Sequence, residues 1–126
     1  MNWIIISSGI LAFFTAGAHV VAGGKEVARP LLEATMDETV KLTMYACWHL
    51  VSVSLILSSI ALLANGFGFF YSPPIVAFIS ALWLLYGIVF LVVNRCIASS
   101  PGLLRLPQWI LLFPVGLLGL LGVILF

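Results

Sequence analysis

Two histidines, His19 and His49, are the side chains of this sequence best suited to chemistry, because both fall inside long apolar segments. An ionisable side chain is costly to place in hydrocarbon, so an intramembrane histidine is by default a candidate functional residue. A neutral imidazole can bind a metal or haem iron, and one that titrates near neutral pH can relay protons. The two helices that carry these histidines are therefore the first place to look for a site.

Their positions predict that the two histidines lie at similar depth. His19 is about five residues before the end of the first apolar segment, and His49 is about seven or eight residues into the second. At about 1.5 Å per residue, they lie roughly 7–8 Å and 11–12 Å from the same boundary of the bilayer. A difference of about 4 Å is less than one helical turn, so the two imidazoles are expected to be neighbours.

Each histidine also continues a stripe of polar or small residues with helical spacing, and such stripes normally face the interior of a bundle. The first segment carries Ser8, Ala12, Thr15 and His19, the second carries Tyr45, His49, Ser52 and Ser59, and the third carries Ser80, Trp83, Gly87 and Asn94. We predict a polar pocket inside the membrane, open towards the cytoplasm, whose ligand-binding residues are His19, His49, Tyr45, Ser52, Thr15 and Trp83.

Three interpretations of this pocket stay open. It can bind a small amphipathic ligand or support proton-coupled transport, or the histidines can serve only to pack the helices of a structural or accessory subunit. In the third interpretation His19 and His49 hold haem b between them, with Lys25 and Arg29 near its propionates. No cofactor is required by the sequence, and no metal site is expected, because a stable site needs three or four ligands.

The composition excludes a soluble globular domain. The chain has 126 residues, of which 63% are hydrophobic and 7% are charged, whereas an ordinary soluble domain is about 25% charged. The net charge of +1, with no basic patch, argues against nucleic acid as a partner. Because the sequence has no recognisable catalytic motif, we expect a non-enzymatic protein with a single transmembrane domain, residues 1–126.

Four segments are long enough to cross a hydrocarbon core of about 30 Å, which takes roughly 20 residues. They are Trp3–Gly23, Leu42–Ala64, Pro74–Asn94 and Gln108–Phe126. All five Lys/Arg lie in the first and third loops, which the positive-inside rule places in the cytoplasm. The sequence therefore predicts an all-α bundle of four antiparallel transmembrane helices in a bacterial inner membrane, with both termini on the non-cytoplasmic side.

The loops and small residues complete these expectations. Gly23-Gly24 is expected to end the first span, and Pro30 to begin a short interfacial helix in the first loop. Asn65–Ser72 has the composition of a turn. Gly116, Gly119 and Gly122 form a groove on the fourth span that allows close helix contact, so we expect a homo-oligomer or a partner membrane subunit.

Overall fold

The computed structural model is all-helical over the residues it describes, 1–97 and 102–125. Its α-helices are α1 (Trp3–Ala18), α2 (Arg29–Glu33), α3 (Glu38–Phe67), α4 (Pro73–Val92) and α5 (Trp109–Ile124). Two π-helical segments, His19–Ala28 and Val93–Ile97, extend α1 and α4 respectively.

Within residues 1–97 and 102–125, three continuous helical stretches are long and apolar enough to cross a membrane. They are Trp3–Glu33, Glu38–Phe67 and Pro73–Ile97. The fourth apolar helix, α5, has 16 residues and is shorter than the other three. The predicted set of four apolar helices is therefore present, with a shorter last member. The last residue of the predicted fourth span, Phe126, lies outside the described residues.

The prediction that Gly23-Gly24 ends the first helix is wrong. The chain passes through both glycines in the first π-helical segment, where the Arg29 N–H donates to the Gly24 carbonyl five residues earlier. This wider turn keeps the backbone hydrogen-bonded. Pro30, which has no N–H to donate, sits in the first turn of α2. The expected interfacial helix is therefore the end of one long helix rather than a separate element.

The turn predicted at Asn65–Ser72 is shorter than expected. Helix α3 continues through Asn65 and Gly66 and ends at Phe67, and the capping residue Gly68 has a left-handed φ of 83°. Gly66 is inside the helix because it packs against α1, where an added Cβ would lie 2.8 Å from the Ile6 backbone nitrogen. Asn65 holds the turn, since its Oδ1 accepts from the Ser72 N–H at 2.8 Å.

Close contacts join the start of α1 to the ends of α3 and α5. The Asn2 N–H donates to the Gly66 carbonyl at 2.8 Å, and the Asn2 Nδ2 donates to the Gly122 carbonyl at 2.8 Å. The Ser8 hydroxyl donates to the Val115 carbonyl at 2.8 Å. We call this region, where glycines and short polar side chains bring backbones together, the tight end of the bundle.

The glycine groove of α5 is filled within the chain. A Cβ at Gly116 would meet the Ser80 carbonyl of α4 at 2.7 Å, and one at Gly122 would meet the Ile5 side chain of α1 at 2.5 Å. A Cβ at Gly119 would clash with the Ser80 hydroxyl. The groove therefore no longer supports the expected homo-oligomer or partner subunit, which stays a prediction.

The interior combines an apolar core, which includes Leu62 and Trp83, with several buried polar side chains, and large apolar side chains cover much of the outside. Ser8, Ser59 and Ser80 are fully buried, whereas Phe14 is 77% exposed and Phe78 is 70% exposed. The buried hydroxyls bond to carbonyls, as when Ser80 donates to Val76 at 2.7 Å. So many exposed large apolar side chains are unusual for a soluble domain of this size.

Candidate functional site

A cavity of about 880 Å³ lies at the opposite end of α1 from the tight end. Its apolar walls come from α3, α4 and α5, and include Val51, Leu55, Val89, Phe90, Leu111 and Leu112. The side chains with polar atoms are Thr15, His19, Glu26, Trp48, Tyr86 and Gln108. We call this space the His19 cavity. Its size and mostly apolar lining are typical of small-molecule sites.

His19 stacks on Trp48 across the gap between the first π-helical segment and α3. Their ring centroids are 4.7 Å apart and the ring planes differ by 21°. His49 meets the same indole edge-on at 5.0 Å, and Tyr45 meets His49 at 4.5 Å. Trp48 is therefore the centre of an aromatic cluster that orients the His19 imidazole at the cavity wall.

Two buried polar atoms at the cavity have no hydrogen-bond partner among the described residues. They are Nε2 of His19 and Oε1 of Gln108. Gln108 is the residue before α5, yet its side chain does not cap the helix. Leaving a buried polar group unpaired costs about 1–3 kcal/mol. Both side chains belong to the cavity lining, although these two atoms themselves are closed off from it.

Asn94 positions the wall that carries Gln108. It is fully buried, and its Nδ2 donates to the Leu106 carbonyl at 2.9 Å while its Oδ1 accepts from the Leu106 N–H at 3.1 Å. Trp109 adds a bond from its Nε1 to the Leu103 carbonyl at 2.8 Å. These contacts hold the chain before α5 against the end of α4, and thereby place Leu106, Pro107 and Gln108 on the cavity.

Tyr86 closes the cavity on the side where α3 and α4 face each other. Its hydroxyl lies 2.8 Å from the Ser54 hydroxyl, and one turn away the Trp83 Nε1 donates to the Ser58 hydroxyl at 2.9 Å. These two side-chain bonds link α3 to α4. The contact between α3 and α4 is much smaller than the contact between α1 and α3.

Of the six residues predicted to bind a ligand, only His19 and Thr15 line the cavity. Tyr45 and His49 lie beside Trp48, and His49 is exposed. Ser52 is buried and donates to the Trp48 carbonyl at 3.1 Å. Trp83 is fully buried in the core, where its ring nitrogen is satisfied by Ser58. The predicted neighbourhood of the two histidines is present, but His49 does not face the pocket.

The arrangement does not fit a bis-histidine haem. Such a haem needs two imidazoles on opposite sides of one iron. Here His19 lies flat against Trp48, while His49 is exposed and contacts another part of the same indole. Within residues 1–97 and 102–125, no three His, Cys, Asp or Glu side chains form a group able to hold a metal ion.

Four of the six lining side chains that carry polar atoms were not predicted from the sequence: Trp48, Tyr86, Gln108 and Glu26. A signal for Trp48 exists in the sequence, because positions 48, 52, 55 and 59 share one helical face with the buried side chains of α3. Gln108 and Glu26 belong to segments assigned to a span boundary and to a loop, where the direction of a side chain depends on tertiary contacts.

Comparisons with protein-family models, with characterised proteins and with solved structures found no match to this chain. The His19 cavity is therefore the feature of the molecule that points to a function.

Proposed function

We propose that this chain is a non-enzymatic membrane protein that binds a small amphipathic molecule in the His19 cavity. The observation that carries the proposal is the pairing of an apolar cavity of about 880 Å³ with two unpartnered buried polar atoms, His19 Nε2 and Gln108 Oε1. An apolar chain fits the walls contributed by α3, α4 and α5, and a polar head fits beside the polar side chains of the lining, His19 and Gln108 among them. Compared with the sequence prediction, the cavity lining contains Gln108 together with His19, and does not contain His49.

The membrane setting rests on the apolar outer surface and on the polar side chains that are buried inside. Buried serines and exposed phenylalanines suit a bundle surrounded by lipid, where hydroxyls turn inward. We propose four antiparallel transmembrane helices. The 16 residues of α5 extend about 24 Å, somewhat less than a typical hydrocarbon core of about 30 Å. Local thinning of the bilayer accommodates such a mismatch at modest cost.

The proposed orientation puts the cavity on the cytoplasmic side of a bacterial inner membrane. All five Lys/Arg belong to the first and third loops. The first of these loops is continuous with the π-helical segment that lines the cavity. By the positive-inside rule both termini lie outside the cytoplasm, and a ligand enters from the inner leaflet.

A cavity-filling variant tests the proposal. The protein is reconstituted in phosphatidylcholine nanodiscs and titrated with a solvatochromic alkyl probe. Ala22→Phe adds a ring to a residue that lines the cavity, whereas Val21→Phe adds bulk to the neighbouring position, which is 62% exposed and outside it. We expect saturable binding that Ala22→Phe weakens and Val21→Phe preserves. Equal binding by both variants would contradict the proposed site.

One observation favours a second candidate, a structural or accessory subunit. The stacking of His19 on Trp48 at 4.7 Å can serve packing alone. In that case His19→Ala lowers the melting temperature, no amphiphile binds saturably, and crosslinking in native membranes captures a partner subunit or a second copy. If the protein binds a ligand, His19→Ala weakens the binding of the probe more than it lowers stability.

A further inference from the structure

We infer that the His19 cavity is a one-ended pocket that receives the alkyl chain of an amphiphile tail first. The end of the chain reaches the buried core at Leu55 and Leu112, and the polar head stays at the other end, near Glu26. This inference rests on the proposed function and adds to it the orientation of the ligand and the residues that limit the length of its chain.

The end of the cavity that adjoins the tight end is closed by the packed core. Leu55 and Leu112 line the cavity and also belong to the hydrophobic core cluster, and they are only 3% and 4% exposed. Because close-packed side chains leave no space for a chain to pass, the cavity ends at these two leucines. Beyond them, four residues of the same cluster, one from each of α1, α3, α4 and α5, are fully buried and do not line the cavity: Ala12, Leu62, Trp83 and Val115.

Hydrogen bonds between α3 and α4 brace this closed end. Tyr86 lines the cavity, and its hydroxyl lies 2.8 Å from the Ser54 hydroxyl. Three residues earlier on α4, about 4.5 Å nearer the tight end, the Trp83 Nε1 donates to the Ser58 hydroxyl at 2.9 Å. The two bonds tie α3 to α4 where the cavity stops, so a ligand that reaches this level meets a fixed wall.

The closed end suits an alkyl chain better than a polar head. On α1 the lining begins at Thr15, whose hydroxyl donates to the Leu11 carbonyl at 2.8 Å. The hydroxyl groups of Thr15 and Tyr86 are thus both hydrogen-bonded within the protein. A polar head placed beside them would lose its water without gaining matching hydrogen bonds, which is costly, whereas an alkyl chain has no such bonds to lose.

The opposite end of the lining is exposed and charged. Glu26 and Val27 line the cavity there; Glu26 is exposed and Val27 is 49% exposed. Along the first long helix Glu26 follows Thr15 by eleven residues, a rise of about 15 Å. A head group beside Glu26 keeps its water while the chain lies along the apolar walls. In the proposed topology this is the orientation of a lipid in the cytoplasmic leaflet, so the ligand enters without turning over.

Two isomers of bromoundecanol test the orientation in phosphatidylcholine nanodiscs. One carries bromine on the terminal carbon and the other on the carbon next to the alcohol, and both enter the bilayer to a similar extent because their composition is the same. Bromine quenches an indole only at short range, and the quenching that is lost in Trp83→Phe comes from the closed end. We expect the terminal bromine to quench Trp83 saturably and the bromine beside the alcohol to leave its fluorescence unchanged.

A matched pair of leucine variants tests the limit on chain length. Leu55→Ala removes about three carbon atoms from the closed end and leaves space there, whereas Leu62→Ala makes the same change on α3 in the core cluster but outside the lining. Straight-chain alcohols from octanol to hexadecanol compete with the terminally brominated probe, and binding is referred to the amount of each alcohol in the membrane. We expect the tightest-binding chain to become about two carbons longer in Leu55→Ala and to stay the same in Leu62→Ala. Leu112→Ala, on α5, opens the same end and replaces Leu55→Ala where that variant does not fold.

The outcomes separate this inference from the proposed function. Suppose that the probes saturably quench Trp48, but that Trp83 is untouched or is quenched as strongly by the isomer brominated beside the alcohol. The tail-first orientation is then wrong, and the ligand-binding function stands. The same best chain length in the wild type, Leu55→Ala and Leu112→Ala would show that the closed end does not limit the chain. No saturable binding of any alcohol would refute both the inference and the proposed function.

Discussion

Adding one methyl group at Gly66 tests the packing of the tight end. Gly66 of α3 faces α1 so closely that a Cβ would lie 2.7 Å from Ile6 Cγ1, 2.8 Å from the Ile6 nitrogen and 3.2 Å from the Ile5 carbonyl carbon. A side chain can move aside, but backbone atoms yield only if the whole helix shifts. Gly66→Ala therefore requires α1 and α3 to separate, with loss of contacts along their interface.

The expected magnitude follows from two opposing effects. Replacing glycine by alanine within a helix stabilises it by roughly 0.5–1 kcal/mol, through the entropy of the unfolded chain. Overpacking of a close contact costs about 1–3 kcal/mol. We expect Gly66→Ala to lower the free energy of unfolding by about 1–2 kcal/mol, since the contact with backbone places its cost at the upper end of that range.

Gly17→Ala is the matched control. It is the same substitution on an exposed helical position of α1, where a Cβ would meet no heavy atom within 4 Å. Only the helix-propensity effect operates there, so the free energy of unfolding should rise by about 0.5–1 kcal/mol. Reversible unfolding in mixed micelles, followed by circular dichroism, measures both variants. If Gly66→Ala were as stable as Gly17→Ala, the packing of α1 on α3 described above would be wrong.

Three further predictions concern the other parts of the bundle. Trp83→Phe removes the bond to the Ser58 hydroxyl and should destabilise the fold by about 1 kcal/mol, measured in the same unfolding assay. Asn94→Leu leaves both backbone groups of Leu106 unpaired; it should cost about 1–3 kcal/mol and weaken probe binding, and unchanged binding would show that Asn94 does not position the cavity wall. A cysteine introduced at Ser72 in a background without native cysteines should react with an impermeant maleimide only from the non-cytoplasmic side, and labelling from the cytoplasm alone would reverse the proposed orientation.

The sequence predicts the helices of this protein well because their existence depends on a property that is summed over many residues. Roughly 20 consecutive apolar residues make a span whatever their order. Four apolar helices were expected, and the described part of the chain has three of spanning length and a shorter fourth. Helix ends depend on single contacts and were predicted less well. Gly23 and Gly66 lie within helices. At Gly66 the reason is a neighbouring helix that the local sequence does not reveal.

The predicted pocket residues and the residues that line the His19 cavity overlap only at His19 and Thr15, and the difference has a physical cause. On α3, positions 48 and 49 differ by about 100° around the helix axis, so only one of them can face the cavity. The polar imidazole of His49 favours a position inside the bundle. The buried face of α3, however, contains Ser52, Leu55 and Ser59. Trp48 continues that face at helical spacing. The packing of the whole helix therefore outweighs the preference of one imidazole. His19 has no such competitor, since it extends the buried face that contains Ala12 and Thr15.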